Sequence, residues 1–117
     1  MKREVVVLLT RAPYGRVHVP EGLRAARGVA AGFDMHDVTV IFTQDGVYGA
    51  RDAVDREALN MSGHVVDLAE QDGQMVADGA AMAERGVDES EIADDVAVWS
   101  DDRVTARIRD ADRTLDF

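Results

Sequence analysis

EVVVLLT, at Glu4–Thr10, has only aliphatic residues between its two ends. A strand with one solvated face would alternate apolar and polar residues. A β-branched run without alternation reads instead as a strand buried on both faces, as in parallel sheets covered by helices. Outward from it, Ala12, Pro13, Tyr14 and Gly15 form a turn, and Pro20 occupies a first helical position. Leu23, Ala26, Ala30 and Phe33 then recur at helical spacing through to Asp34, giving a helix whose stripe faces the sheet. VTVIFT, at Val38–Thr43, is a second buried strand, so a right-handed βαβ unit with parallel strands is predicted.

Farther along, Gln44–Ala50 reads as a glycine-containing loop. Val54, Ala58, Met61, Val65 and Leu68 mark a second amphipathic helix, with Ser62 and Gly63 set to kink or divide it. Gln74–Ala77 is a short strand, Gly79–Arg85 a helix stopped at Gly86, and Val87–Asp95 an irregular acidic segment with at most one helical turn. Val96–Trp99 reads as a strand, Asp101–Asp110 as a helix and Thr114–Phe117 as a closing strand. Gly28 and Gly32, one turn apart in the first helix, are expected to allow close backbone approach. The alternation predicts an α/β fold: a three-layer sandwich with a mostly parallel sheet of about five strands, helices on both faces, and one domain over residues 1–117. The working crevice of such sheets lies beyond the carboxyl ends of the strands, which gathers Thr10–Arg16, Gln44–Tyr48 and Asp78–Gly79.

Composition bounds the chemistry. The chain has 117 residues, no cysteine and a formal net charge of −10, from 23 acidic and 13 basic residues. Without thiols there is no disulfide framework and no cysteine-based metal site. Sixteen of the acids are Asp, and Lys2 is the one lysine. Short carboxylates with almost no lysine suit a protein kept soluble in concentrated salt, where self-repulsion is screened within about 3 Å at 1 M. This halophilic reading accounts for the charge without a cationic ligand, and an acidic surface disfavours direct nucleic-acid binding. The longest apolar run, Val5–Leu9, is far shorter than the roughly 18–20 residues that span a bilayer. A cytoplasmic protein with no membrane association is expected.

Several residues at the predicted crevice carry chemistry, and each also has an ordinary structural role. Asp45 and Asp78, at neighbouring strand ends, would form an acid–base pair or a hard-cation site if they approached within about 5 Å. Alternatively, Asp45 is a turn residue before Gly46, and Asp78 caps the helix beginning at Gly79. Arg11 and Arg16 flank a turn ahead of a helix N-terminus, a geometry that can hold an anion, or else they pair with acidic neighbours. Thr10 joins them at the strand end. His18 could act as a base, yet no nucleophile elbow accompanies it, and His18, His36 and His64 lack the close spacing of zinc helices. Tyr14 and Tyr48 would anchor a partner if exposed on one edge, and Trp99 is a further aromatic near a loop. No cofactor is expected.

Three stretches at these places resemble the DsrE/DsrF-like family, in particular its TusC/DsrF-like branch. TRAPYGRVHVPEGLRA (Thr10–Ala25) is similar to a strand-end turn leading into a Glu-Gly-Leu helix start. FTQDGVYGA (Phe42–Ala50) is similar to the family's Asp-Gly-Val loop, and DGAAMAERGV (Asp78–Val87) to its strand-end cysteine followed by small residues and Arg-Gly. The terminal RTLDF (Arg113–Phe117) resembles the branch's short last strand. The resemblance implies a sulfur-relay subunit assembled with its own copies or with homologous subunits, in tRNA 2-thiolation or sulfur metabolism. Counting back from Arg85 and Gly86 places the family's active cysteine at Asp78. Aspartate there removes the thiolate that persulfide chemistry requires, so the resemblance implies a non-catalytic member. The other reading is a binder or enzyme for a small anion or metal, built on Asp45 and Asp78 with Thr10 and His18.

Overall fold

The computed structural model describes residues 2–32 and 36–117. Among the described residues, five strands and four α-helices alternate: β1 (Glu4–Leu9), α1 (His18–Ala30), β2 (Asp37–Phe42), α2 (Ser62–Glu70), β3 (Gln74–Asp78), α3 (Gly79–Glu84), β4 (Ala97–Trp99), α4 (Asp101–Asp110) and β5 (Arg113–Asp116). Short 3-10 helices lie at Gln44–Ala50 and Glu89–Glu91. The strands form one sheet in the order β4-β3-β2-β1-β5, with every pair parallel. The predicted α/β sandwich is borne out.

The two unalternating runs take the centre of the sheet for the reason given by their composition. In β1, Val5, Val7 and Leu9 join a core beneath α1 and α2, while Val6 and the half-buried Leu8 face a second core under α4. In β2, Val38, Val40 and Phe42 join the first core and Ile41 the second. A strand with water on one face could not place side chains this way. In register, Val7 lies beside Val40 and Phe42 beside Ala77. Leu23, Ala26 and Ala30 supply the buried stripe of α1, and Val104 with the half-buried Ile108 supplies that of α4.

Several boundaries differ from expectation. Helix α1 begins at His18, so Pro20 falls inside the first turn, where its missing N–H has no helical acceptor to lose. The helix ends at Ala30, and Phe33 and Asp34, expected to close it, lie outside the described residues. The helix predicted from Val54 forms only from Ser62. Before it, Asn60 adopts a left-handed φ of 59°, which interrupts a right-handed helix, so Ser62 and Gly63 start a helix instead of kinking one. Gln44–Ala50 is helical where a loop was expected. Finally, a Cβ at Gly28 would meet nothing within 4 Å, and one at Gly32 would meet only carbonyls of the preceding turn. The close approaches fall elsewhere.

Candidate functional site

At the carboxyl edge of the sheet, the ends of β2 and β3 are shaped by particular residues. After β2, the chain turns back over the end of β1: Thr43 N–H donates to the Leu9 carbonyl at 3.0 Å, and Gly46 N–H to the Thr43 carbonyl at 2.8 Å. Only glycine fits at position 46, because a Cβ there would stand 1.8 Å from the Leu9 carbonyl oxygen. The fold-back buries Val47 completely and leaves Tyr48 half-buried. It also carries Asp45 outward, where the carboxylate accepts from Arg85 Nε at 2.9 Å. That contact holds the Arg85 guanidinium above its ordinary pKa. The Asp-Gly-Val and Arg-Gly stretches therefore meet through an ion pair.

Asp78 ends β3 and is 8% exposed, one of two buried polar side chains among the described residues. Its Oδ1 accepts from the Ala80 and Ala81 amides at 3.1 and 3.5 Å, capping α3. Its Oδ2 accepts a 2.7 Å hydrogen bond from Thr43 Oγ1. Both carboxylate oxygens are thus engaged, and the cap foreseen for this residue is present. Gly79 follows because a Cβ there would meet the Trp99 carbonyl oxygen at 2.9 Å.

The remaining residues named from the sequence are spread around this edge. Thr10 is half-buried, whereas Arg11, Tyr14 and Arg16 are exposed on the β1–α1 loop. His18 is the first residue of α1, and its Nδ1 is enclosed without a hydrogen-bond partner. Trp99 is 3% exposed and lies beneath the guanidinium of Arg103, 4.1 Å from its ring centre. The structure brings Asp78 to Thr43 and Asp45 to Arg85. Among the described residues, no cluster of three or more His, Asp or Glu side chains could hold a metal ion.

Thr43 and Arg85 were not singled out as site residues from the sequence. No signal for Thr43 was readable without the strand register: it follows Phe42 as Asp78 follows Ala77, and Phe42 and Ala77 are in register. Two polar residues each one step past paired positions of parallel strands are placed to meet.

The DsrE/DsrF-like family model matches residues 3–117. Among solved structures, the ychN protein from E. coli is similar with a TM-score of 0.81 at 21% identity, covering 100% of both chains. MTH1491 from Methanobacterium thermoautotrophicum, a protein of unknown function, is similar with a TM-score of 0.79 at 18% identity, covering 99% of this chain and 100% of that one. At these identities the likeness shows the fold. A search of curated proteins finds none that matches the chain. Among the described residues, no helix is long and apolar enough to cross a membrane.

Proposed function

We propose, from the premise that the chain belongs to the DsrE/DsrF-like family, that it is a non-catalytic, TusC/DsrF-like subunit of a sulfur-relay-type complex. The complex would act in tRNA 2-thiolation or in sulfur metabolism, in the cytoplasm of a halophilic source. The subunit is a single domain over residues 1–117 that assembles with its own copies or with homologous subunits. It binds neither nucleic acid nor membrane directly.

The observation that carries this reading is the state of Asp78. A sulfur relay forms an S–S bond to an attacking thiolate and passes the outer sulfur on by thiol–disulfide exchange. A carboxylate forms no such bond, and the chain has no cysteine elsewhere. Both Asp78 oxygens already accept hydrogen bonds that tie β2, β3 and α3 together. The residue at the relay position therefore serves the scaffold.

Affinity isolation of the full chain from a lysate of its source, followed by identification of the associated subunits, tests the role. The proposal expects homologous subunits or further copies of this chain, retained when Asp78 is changed to Ala. A small-anion or metal binder built on Asp45 and Asp78 would instead lose its ligand in that variant. Isolation of the chain without any subunit of its family would overturn the assembly role.

A further inference from the structure

We propose that the β1–α1 loop, Arg11–Val17, is a docking surface for the acidic Asp88–Asp102 run of a second copy of this chain. The inference rests on the assembly role above and names the contact that would serve it.

The loop is anomalous in charge. Residues 5–20 contain no Asp or Glu, although the chain holds 23 acidic residues, and this stretch carries Arg11 and Arg16. Among the described residues, five of the ten other arginines pair with carboxylates, namely Arg24 with Glu21, Arg27 with Asp67, Arg56 with Asp95, Arg85 with Asp45 and Arg109 with Asp110, and Arg51, Arg103, Arg107 and Arg113 engage an aromatic ring, a hydroxyl or a backbone carbonyl. Arg11 and Arg16 are exposed, and neither makes an ion pair or hydrogen bond among the described residues.

The loop is also anomalous in polarity. Tyr14 is 53% and Val17 68% exposed, and only Val66 joins them as an exposed large hydrophobic among the described residues. Tyrosine and arginine are the residue types enriched at the centres of interfaces. The loop is held in shape before any partner arrives. Pro13 is buried, a Cβ at Gly49 would lie 3.8 Å from its ring, and Gly15 makes the turn at φ +70°. A preformed loop loses little conformational freedom on docking.

Charge complementarity selects the occupant. The Asp88–Asp102 run carries seven acidic residues and no basic one. Within it Asp88 and Glu91 form a capping box and Asp95 holds Arg56, which leaves Glu89, Asp94, Asp101 and Asp102 exposed without an ion pair among the described residues. The loop does not serve its own chain's acidic run, because β2 and β3 stand between β1 and β4. At salt low enough to leave surface charges unscreened, copies at −10 repel one another generally, and a local pairing of opposite sign is the place where they can approach. Two different patches meeting make a head-to-tail contact, which closes into a ring when the rotation permits.

The test uses full-length protein in sedimentation velocity at moderate salt, with circular dichroism as the check on folding. Arg11→Glu with Arg16→Glu is expected to weaken self-association roughly a hundredfold, and so is Glu89→Arg with Asp94→Arg. Mixing the two variants is expected to restore assembly, because each then presents opposite charge to the other. A wild-type oligomer insensitive to both reversals overturns this docking surface and leaves the assembly role standing. Failure of the mixture to assemble overturns the pairing of these two patches. A monomeric wild type that also associates with no homologous subunit overturns both the surface and the role.

Discussion

Thr43 Oγ1 donates a 2.7 Å hydrogen bond to Asp78 Oδ2, joining the ends of two adjacent parallel strands at the edge where such folds place their chemistry. The other oxygen of the same carboxylate caps α3. A group that closes a strand end and starts a helix at once is a structural junction, and its removal should be felt in stability.

Asp78→Ala is expected to cost about 2 kcal/mol, combining a lost N-cap with a Thr43 hydroxyl left without its acceptor. Asp78→Asn, which keeps the capping oxygen, should cost clearly less. Thr43→Val should cost about 1 kcal/mol, and the Thr43→Val/Asp78→Ala pair should fall short of additivity because the two share one bond. Urea unfolding measures all four. Full additivity would mean that the bond contributes nothing.

Two glycines should respond with opposite sign. Gly46→Ala drives a methyl into the Leu9 carbonyl and should cost about 3 kcal/mol or more, or prevent folding. Gly28→Ala puts a methyl into open space on an exposed position of α1 and should stabilise by about 0.5–1 kcal/mol. Thermal midpoints of the two variants against the wild type check the pair.

These glycines mark where sequence reading stopped. The sheet was legible because Val5–Leu9 and Val38–Phe42 are too apolar to leave any face in water, and that property is local. Gly46 and Gly28 look alike in sequence, and what separates them is the Leu9 carbonyl, brought in by the β1–β2 pairing. The late start of α2 was hidden for a similar reason. Val54 and Met61 keep helical spacing and are both buried, yet a left-handed Asn60 divides the segment. At the candidate site, the cap by Asp78 followed from residue type alone. Its bond to Thr43 required strand register, and the Asp45–Arg85 pair required the fold-back over β1.

Asp95 lies beside Arg56, which donates to it at 2.6 and 2.7 Å. Hydrogen bonding from that guanidinium, aided by its charge against partial burial, holds the Asp95 carboxyl below its ordinary pKa. A depressed carboxylate contributes stability above its unfolded pKa, and that contribution is lost as pH falls through the folded value. The pair is partly exposed, so the contribution is below about 1 kcal/mol. Asp95→Asn should therefore lower stability slightly at pH 7, with the difference from wild type shrinking as pH drops below 4. A difference that persists in strong acid would contradict this origin.

His64 titrates in a different window. Its Nδ1 is enclosed without a partner although the ring as a whole is partly exposed, and desolvation, then Arg27 and Arg24, hold its pKa below the ordinary 6.5. A histidine with a lowered folded pKa supports the fold while neutral, above the unfolded value, and that support fades as pH falls through the folded value. Stability should decline slightly on acidification below about pH 6.5, less so in His64→Gln. Unfolding midpoints at pH 7.5 and 5.5 for both proteins provide the comparison, and equal declines would exclude His64 as the source.

The central claim, that position 78 is the relay position and that this chain carries no sulfur there, is tested most directly by intact-mass spectrometry after exposure to a persulfide donor. Wild-type protein is expected to remain unmodified. Asp78→Cys, with its thiol at the N-terminus of α3, is expected to gain a reducible sulfur adduct faster than a cysteine placed at exposed Val66. A sulfur adduct on the wild type, or no preference for position 78 over position 66, would contradict the account.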